Sequence, residues 1–200
     1  MKPGSFQRKI REFVFKINGF LVCLLFAAPN LWAQYENAYV CTNGKIHFFS
    51  AALTGDIEAR SNSAVCVINT KTNKVFAKVR QTSFNFREKL MQEHFNENYM
   101  ETDKFPYATL DMSIVERPDY SKDGTFDITL KGTLEMHGVK VVREIKGTLV
   151  IKNGEPVSAT ATFTAKLSEY KIKIPNILGA NITDQVKVDV EFAFDKYRGS

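Results

Sequence analysis

Alternation of apolar and polar residues with a period of two most strongly constrains the fold of this chain. From Phe126 to Met136 the even positions carry Phe, Ile, Leu, Gly, Leu and Met, and the odd positions carry Asp, Thr, Lys and Glu. The same pattern occurs at 159–167 and 186–194. Because successive side chains of a strand point to opposite faces, each segment predicts a strand with one apolar face. Richness in β-branched and aromatic residues predicts three further strands, at 45–50, 64–69 and 74–82.

Short polar dipeptides separate several of these segments. Asn43-Gly44 and Asn153-Gly154 each lie between apolar runs, and both dipeptides accept the positive φ of tight hairpin turns. Antiparallel neighbours are therefore expected.

A single segment has a helical period instead. From Asn85 to Met100 the apolar residues recur at helical spacing, Asn85 and Glu88 have the spacing of an N-terminal capping arrangement, and Pro106 follows. We expect one helix between the early and later strands.

An antiparallel protein of this size buries its apolar faces in two packed sheets or in a closed barrel. The predicted fold is all-β: an antiparallel, lipocalin-like barrel of about eight strands, with one helix between the early and later strands. The inward positions range in size from Ala to Phe. That mixture is compatible with an open lumen and with a filled core.

The basic charge of the chain is concentrated at its start. The full sequence carries a net charge of +5, but residues 1–33 contain five Lys or Arg and one Glu. These residues precede and flank the short apolar run at 19–28, a pattern typical of a secretory signal peptide. Cleavage is expected near Ala33, leaving a single domain at 34–200 with a net charge of about +1. Nucleic-acid binding then loses its electrostatic basis, and stable membrane insertion is not expected after leader removal.

Two cysteines remain in the predicted mature chain. Cys41 and Cys66 could form one disulfide in an exported protein, or they could be two buried thiols. The sequence does not distinguish these alternatives.

Motifs for catalysis or metal binding are absent from the sequence. The three histidines, His47, His94 and His137, form no close ligand array, and no phosphate loop or nucleophile elbow occurs. The chain is therefore expected not to be an enzyme, with no catalytic residues, no metal and no cofactor.

Two stretches resemble the YceI-like family. Leu90-Met91, His94-Phe95 and the run 99–110 resemble the family's helix, aromatic-Pro pair and following strand. The run 127–140, with Gly132 and the Gly138 turn, resembles its central strand and turn, although Val141-Val142-Arg143 replaces the usual Pro. The resemblance extends from about 39 to 194. It implies an exported bacterial protein, periplasmic or secreted, whose lipocalin-like barrel sequesters an isoprenoid or similar long-chain lipid.

The two-residue alternation of the strands predicts which residues would contact such a lipid. The inward-facing candidates are Phe126, Ile128, Leu130, Leu134, Met136, Leu149, Phe163, Val188, Val190 and Phe192. Phe84, Phe86, Leu90 and Phe95 are candidates for a lid or plug. His94 is the head-group candidate.

Two other functions compete with lipid binding. The first is an exported β-rich module with a filled core that acts through its surface. The second is an envelope enzyme, which would need a cluster of perturbed acids or histidines. The oligomeric state is open, and a homodimer is one option.

Overall fold

The computed structural model describes residues 37–51, 56–173 and 183–198. Asn37–Arg198 forms one compact unit. The predicted signal peptide at 1–33 and its cleavage site lie outside the described residues. No helix of the described segments has the length and apolarity needed to cross a membrane.

Ten strands and one α-helix make up the described secondary structure, together with short 3-10 and π turns. The strands are β1 (Ala38–Ser50), β2 (Ile57–Asn69), β3 (Lys74–Arg80), β4 (Asn85–Phe86), β5 (Tyr107–Ile114), β6 (Gly124–Met136), β7 (Val139–Lys152), β8 (Glu155–Lys166), β9 (Gln185–Ala193) and β10 (Asp195–Lys196). The helix α1 spans Lys89–His94 and continues into a π turn at Phe95–Tyr99. The 3-10 turns span Gln81–Ser83 and Leu167–Tyr170.

Eight of the strands close into an antiparallel barrel. Their order is β1-β9-β8-β7-β6-β5-β3-β2, and β2 pairs again with β1. Closure is visible in the register of β1, where Ile46 lies opposite Val190 of β9 and Phe48 lies opposite Ala59 of β2. The predicted all-β barrel is confirmed, and closure leaves no open edge among its eight strands.

One predicted turn is confirmed and the other is wrong. Asn153-Gly154 joins β7 to β8, with φ of 52° and 78°. Asn43-Gly44 instead lies inside β1, where the register with β2 shifts on both sides of Gly44. A Cβ at Gly44 would lie 2.4 Å from the Phe192 ring, so glycine is needed there for close packing against the neighbouring strand β9.

The helical segment is shorter than its apolar spacing predicts. Asn85 belongs to β4, and its amide donates to the carbonyls of Arg60 and Ser83. The N-cap of α1 is Glu88, which makes no side-chain capping bond. Because β4 pairs with β2, residues 85–86 are extended, and α1 begins only at Lys89.

The connections divide the barrel into two ends. The lid end is where β1, β3, β6 and β8 finish, and it carries segment 81–106 and the turn at His137-Gly138. The opposite end carries the turn at Asn153-Gly154. Buried residues cover this closed end, namely Tyr39, Ile68, Ile114, Ile151 and Phe194. Any opening to the interior is therefore expected at the lid end.

Candidate ligand-binding cavity

The inward faces of the eight barrel strands surround a cavity of about 220 Å³. Its lining is almost entirely aliphatic and aromatic, from Ile46 on β1 to Phe192 on β9. The volume is below the roughly 300–1,000 Å³ of common ligand pockets. It is nevertheless larger than the apolar voids that packed protein cores leave. The interior is therefore not filled, which argues against the filled-core alternative.

Most of the nominated residues face this cavity. The lining includes Phe84, Phe86, Phe95, Ile128, Leu130, Leu134, Met136, Leu149, Phe163, Val188, Val190 and Phe192. Two-residue parity located the strand members because the barrel interior receives alternate side chains of each strand. Their contact with a lipid stays a prediction.

Two nominated residues lie elsewhere. Leu90 is 63% exposed on α1 and does not line the cavity, so its role in a lid stays a prediction. The helix is short, and Met91 within it and Phe95 directly after it line the cavity instead. Phe126 packs against the core but does not line the cavity. It lies near the start of β6, at the closed end, where its side chain packs among buried residues outside the cavity lining.

Four phenylalanines form an aromatic cluster at the lid end, here named the aromatic lid. It consists of Phe48 on β1, Phe84, Phe86 on β4 and Phe95 after α1. The Phe95 ring centroid lies 4.9 Å from that of Phe86, 5.6 Å from Phe48 and 5.9 Å from Phe84. Phe95 also packs against both buried clusters of the core. Phe48 and Phe95 each contact the other three rings of the lid, and Phe95 is the one of the two that lies outside the barrel strands.

Hydrogen bonds hold the lid segment in place. The Phe86 amide donates to Oε1 of Gln92 at 3.3 Å, which ties β4 to α1. The Met100 amide donates to the Phe95 carbonyl at 2.9 Å and closes the π turn. Further backbone bonds run from the Gln81 amide to the Pro106 carbonyl and from the Thr102 amide to the Asn96 carbonyl, so the segment is anchored at several points.

A polar cluster fixes the other end of the lid segment. His137 Nε2 lies 3.1 Å from Oε2 of Glu101, and His137 Nδ1 lies 3.1 Å from the Tyr170 carbonyl. The Phe105 ring packs against the imidazole, with centroids 4.5 Å apart. Hydrogen bonds from Lys104 and His137 lower the pKa of Glu101 below its ordinary value. This cluster joins the lid segment to the β6–β7 turn.

The head-group candidate His94 lies outside the cavity lining. Its Nδ1 is 2.9 Å from the Asn98 amide nitrogen, one helical turn further along the chain. This contact is local, as expected for a partly exposed helix residue. A role of His94 in binding a head group stays a prediction.

Gln81 is a polar residue of the cavity that sequence reasoning did not nominate. Gln81 is 2% exposed and lines the cavity directly after β3. The signal was present in the sequence, because Val75, Ala77 and Val79 alternate inward and position 81 continues their parity. Apolar residues occur on both faces of segment 74–82, so the alternation there does not single out Gln81.

The possible disulfide between Cys41 and Cys66 is absent. The two residues lie opposite each other on β1 and β2, but both are free and buried. The Cys41 thiol is directed toward Oδ1 of Asn43, at 3.6 Å, rather than toward Cys66. Burial raises the pKa of Cys66 to about 12, and the neighbouring Cys41 adds to this effect. Of the two alternatives, the structure contains buried thiols.

Titratable side chains do not converge on the cavity. Among the residues that the structure describes, no group of three or more His, Cys, Asp and Glu could hold a metal ion. The acids with lowered pKa values, including Glu116, Asp119 and Asp184, accept hydrogen bonds on the outside of the barrel. The arrangement of the cavity favours burial of an apolar molecule.

A family model supports this description. The model of the YceI-like domain matches residues 36–194. The chain belongs to the YceI-like family. The residues matched include every strand of the closed barrel and the whole lid segment.

Solved structures share the fold of this YceI-like domain. A polyisoprenoid-binding domain from Saccharophagus degradans, implicated in plant cell wall breakdown, is 15% identical with a TM-score of 0.67; the match covers 80% of this chain and 99% of that one. BcnA from Burkholderia cenocepacia is 13% identical with a TM-score of 0.58, covering 74% of this chain and 94% of that one. No curated protein matches the chain. At these identities the similarity establishes the YceI-like fold.

Proposed function

We propose that this YceI-like protein is an exported binding protein that sequesters or carries an isoprenoid or similar long-chain lipid in its barrel. The observation that carries the proposal is the apolar cavity of about 220 Å³ inside a closed barrel. The protein acts by binding and not by catalysis. Family membership and the polyisoprenoid-binding function of the Saccharophagus degradans domain add support.

The physical basis is transfer of hydrocarbon from water into the lumen. Each buried methylene contributes roughly 0.8 kcal/mol. A cavity of about 150 Å³ accepts one benzene ring, so about 220 Å³ has room for roughly nine carbon atoms, or about two isoprene units. A longer chain requires the aromatic lid to move. Movement of the lid is then part of lipid entry.

Lipid content is tested on protein purified from its own host. Native mass spectrometry before and after organic extraction should reveal one co-purified apolar molecule per chain. Extracted protein should then take up a prenyl alcohol added in detergent-free buffer. A protein that is isolated empty and also takes up no prenyl lipid contradicts the proposal.

Export is proposed from the basic and apolar pattern of residues 1–33. Cell fractionation should find the protein in the periplasm or the medium, and N-terminal sequencing should find a mature chain that begins near residue 34. Recovery of the protein in the cytoplasm with Met1 intact would refute export without affecting the proposed lipid binding.

A further inference from the structure

Gln81 is a buried amide in an apolar cavity. It follows β3 at the lid end, continues the inward row of Val75 and Val79, and is 2% exposed. Its position lies near the aromatic lid, because the Phe84 amide donates to the Gln81 carbonyl at 3.3 Å. A ligand that fills the lumen from the lid end would therefore have its last atoms near this side chain.

The hydrogen-bonding capacity of Gln81 is used only on its backbone. The backbone amide donates to the Pro106 carbonyl at 2.9 Å. The side-chain amide has no hydrogen-bond partner in the part of the chain that the structure describes, and it differs from the fully enclosed unpaired atoms of Asn96 and Tyr120 because Gln81 borders the cavity. A buried amide without a partner is unfavourable, and such groups usually mark an unfilled interaction.

Two other polar side chains of the cavity lining, Ser50 and Lys78, already have partners within the chain. Ser50 donates to the Gln185 carbonyl at 3.5 Å and lies 3.3 Å from Oγ1 of Thr183. Lys78 is the one charged residue among the described lining residues, but its ammonium lies 3.7 Å above the Tyr107 ring on the outer surface. An anionic head group in the cavity would therefore be buried without a cation, which is strongly unfavourable.

We propose that the side-chain amide of Gln81 recognises an uncharged hydrogen-bonding head group, a hydroxyl or a carbonyl, at the end of the bound isoprenoid. The amide donates to either group and also accepts from a hydroxyl. The ligand class is then a neutral prenyl alcohol or ketone rather than a prenyl phosphate. This inference rests on the proposed lipid binding and specifies its substrate class.

Four short probes of similar apolar size test the inference. They are geraniol (hydroxyl), geranial (carbonyl), myrcene (hydrocarbon) and geranyl phosphate (anion), titrated calorimetrically into the extracted full-length protein. The native protein should bind geraniol and geranial roughly five- to tenfold more tightly than myrcene, the effect of one net hydrogen bond. Geranyl phosphate should bind most weakly.

Gln81→Leu keeps the size of the side chain and removes its hydrogen-bonding groups. It should lower affinity for geraniol roughly five- to tenfold and leave myrcene affinity unchanged or higher. Empty Gln81→Leu protein should also be at least as stable thermally as the native protein, because no internal hydrogen bond is lost. Gln185→Leu is the matched control, since it makes the same change at an exposed position outside the cavity lining. It should retain the native preference for geraniol over myrcene.

Distinct outcomes overturn the two proposals separately. Equal binding of geraniol and myrcene by the native protein, or an unchanged preference in Gln81→Leu, refutes the role of Gln81 while lipid binding stands. Tighter binding of geranyl phosphate than of geraniol also refutes the role of Gln81. A large loss of stability in empty Gln81→Leu shows a structural role of the amide and refutes it as well. Failure of all four probes in a protein that also carries no host lipid overturns lipid binding and the role of Gln81 together.

Discussion

Replacement of Phe95 by alanine should loosen the aromatic lid without disturbing the barrel strands. Phe95 lies after α1, outside the hydrogen-bonded ladders, and its ring contacts three other phenylalanines. It also contacts both buried clusters of the core. Truncation of this side chain removes three of the five ring contacts of the lid and leaves strand pairing intact.

The expected cost follows from the burial of the Phe95 ring. Truncation of a buried Phe to Ala costs about 3–5 kcal/mol. Phe95 is only partly buried, so we expect the lower end of that range, about 3 kcal/mol. For a domain of this size such a loss lowers Tm by roughly 6–12 °C. The three ring pairs of Phe95 are part of this cost, since an aromatic pair typically contributes roughly 0.5–1.5 kcal/mol beyond the burial of its area.

Urea unfolding of native protein, Phe95→Ala and Leu90→Ala measures the effect. Leu90 occupies the same lid segment but is 63% exposed, so its truncation should change the free energy of unfolding by less than about 0.5 kcal/mol. Phe95→Ala should also release bound prenyl alcohol faster. A cost below about 1 kcal/mol, or an equal cost in Leu90→Ala, would refute the idea that Phe95 holds the lid.

Three further predictions concern the barrel and its polar and thiol groups. Gly132→Ala should lower the free energy of unfolding by about 1–3 kcal/mol in urea titrations, because a Cβ there would lie 2.3 Å from the carbonyl oxygen of Asp111. Glu101→Gln should flatten the acid dependence of Tm. The folded-state pKa of Glu101 is lowered, so the stability from its carboxylate is present above the unfolded pKa and is lost as pH falls through the folded value. In a Cys23→Ser background, Cys41 and Cys66 should react with a thiol reagent only on unfolding, since the pKa of Cys66 is raised to about 12.

Each of these predictions has a control or a contrary result. Lys131→Ala, at an exposed position beside Gly132, should leave stability nearly unchanged. An acid transition of Glu101→Gln identical to that of the native protein would mean that the carboxylate contributes nothing to acid stability. Rapid labelling of Cys41 and Cys66 in native buffer would contradict their burial, and the absence of reactive thiols after unfolding would indicate a disulfide.

The strand positions of the cavity could be predicted from the sequence because they obey a local rule. Ile128, Leu130 and Leu134 share one parity, and a pleated strand sends that parity to one face. The exposure of Leu90 was not predicted, because helical spacing alone does not define the length of a helix. Asn85-Phe86 pair with Ala59 and Arg60, contacts far apart in sequence, and this pairing shortens the helix. Gln81 was missed because polarity at an inward position is inconspicuous until the surrounding cavity is visible.

By itself, the sequence determined the strands, their apolar faces and the antiparallel β-rich class, because side-chain alternation and most turn preferences are local properties of the backbone. The tertiary structure decided that β1 pairs with β2 as well as β9, so that the sheet closes. It also decided that the interior retains a cavity, that Phe95 joins the lid to the core, and that Gln81 remains unpaired beside it. These features depend on how residues distant in sequence fill a shared volume, and no local pattern encodes that volume.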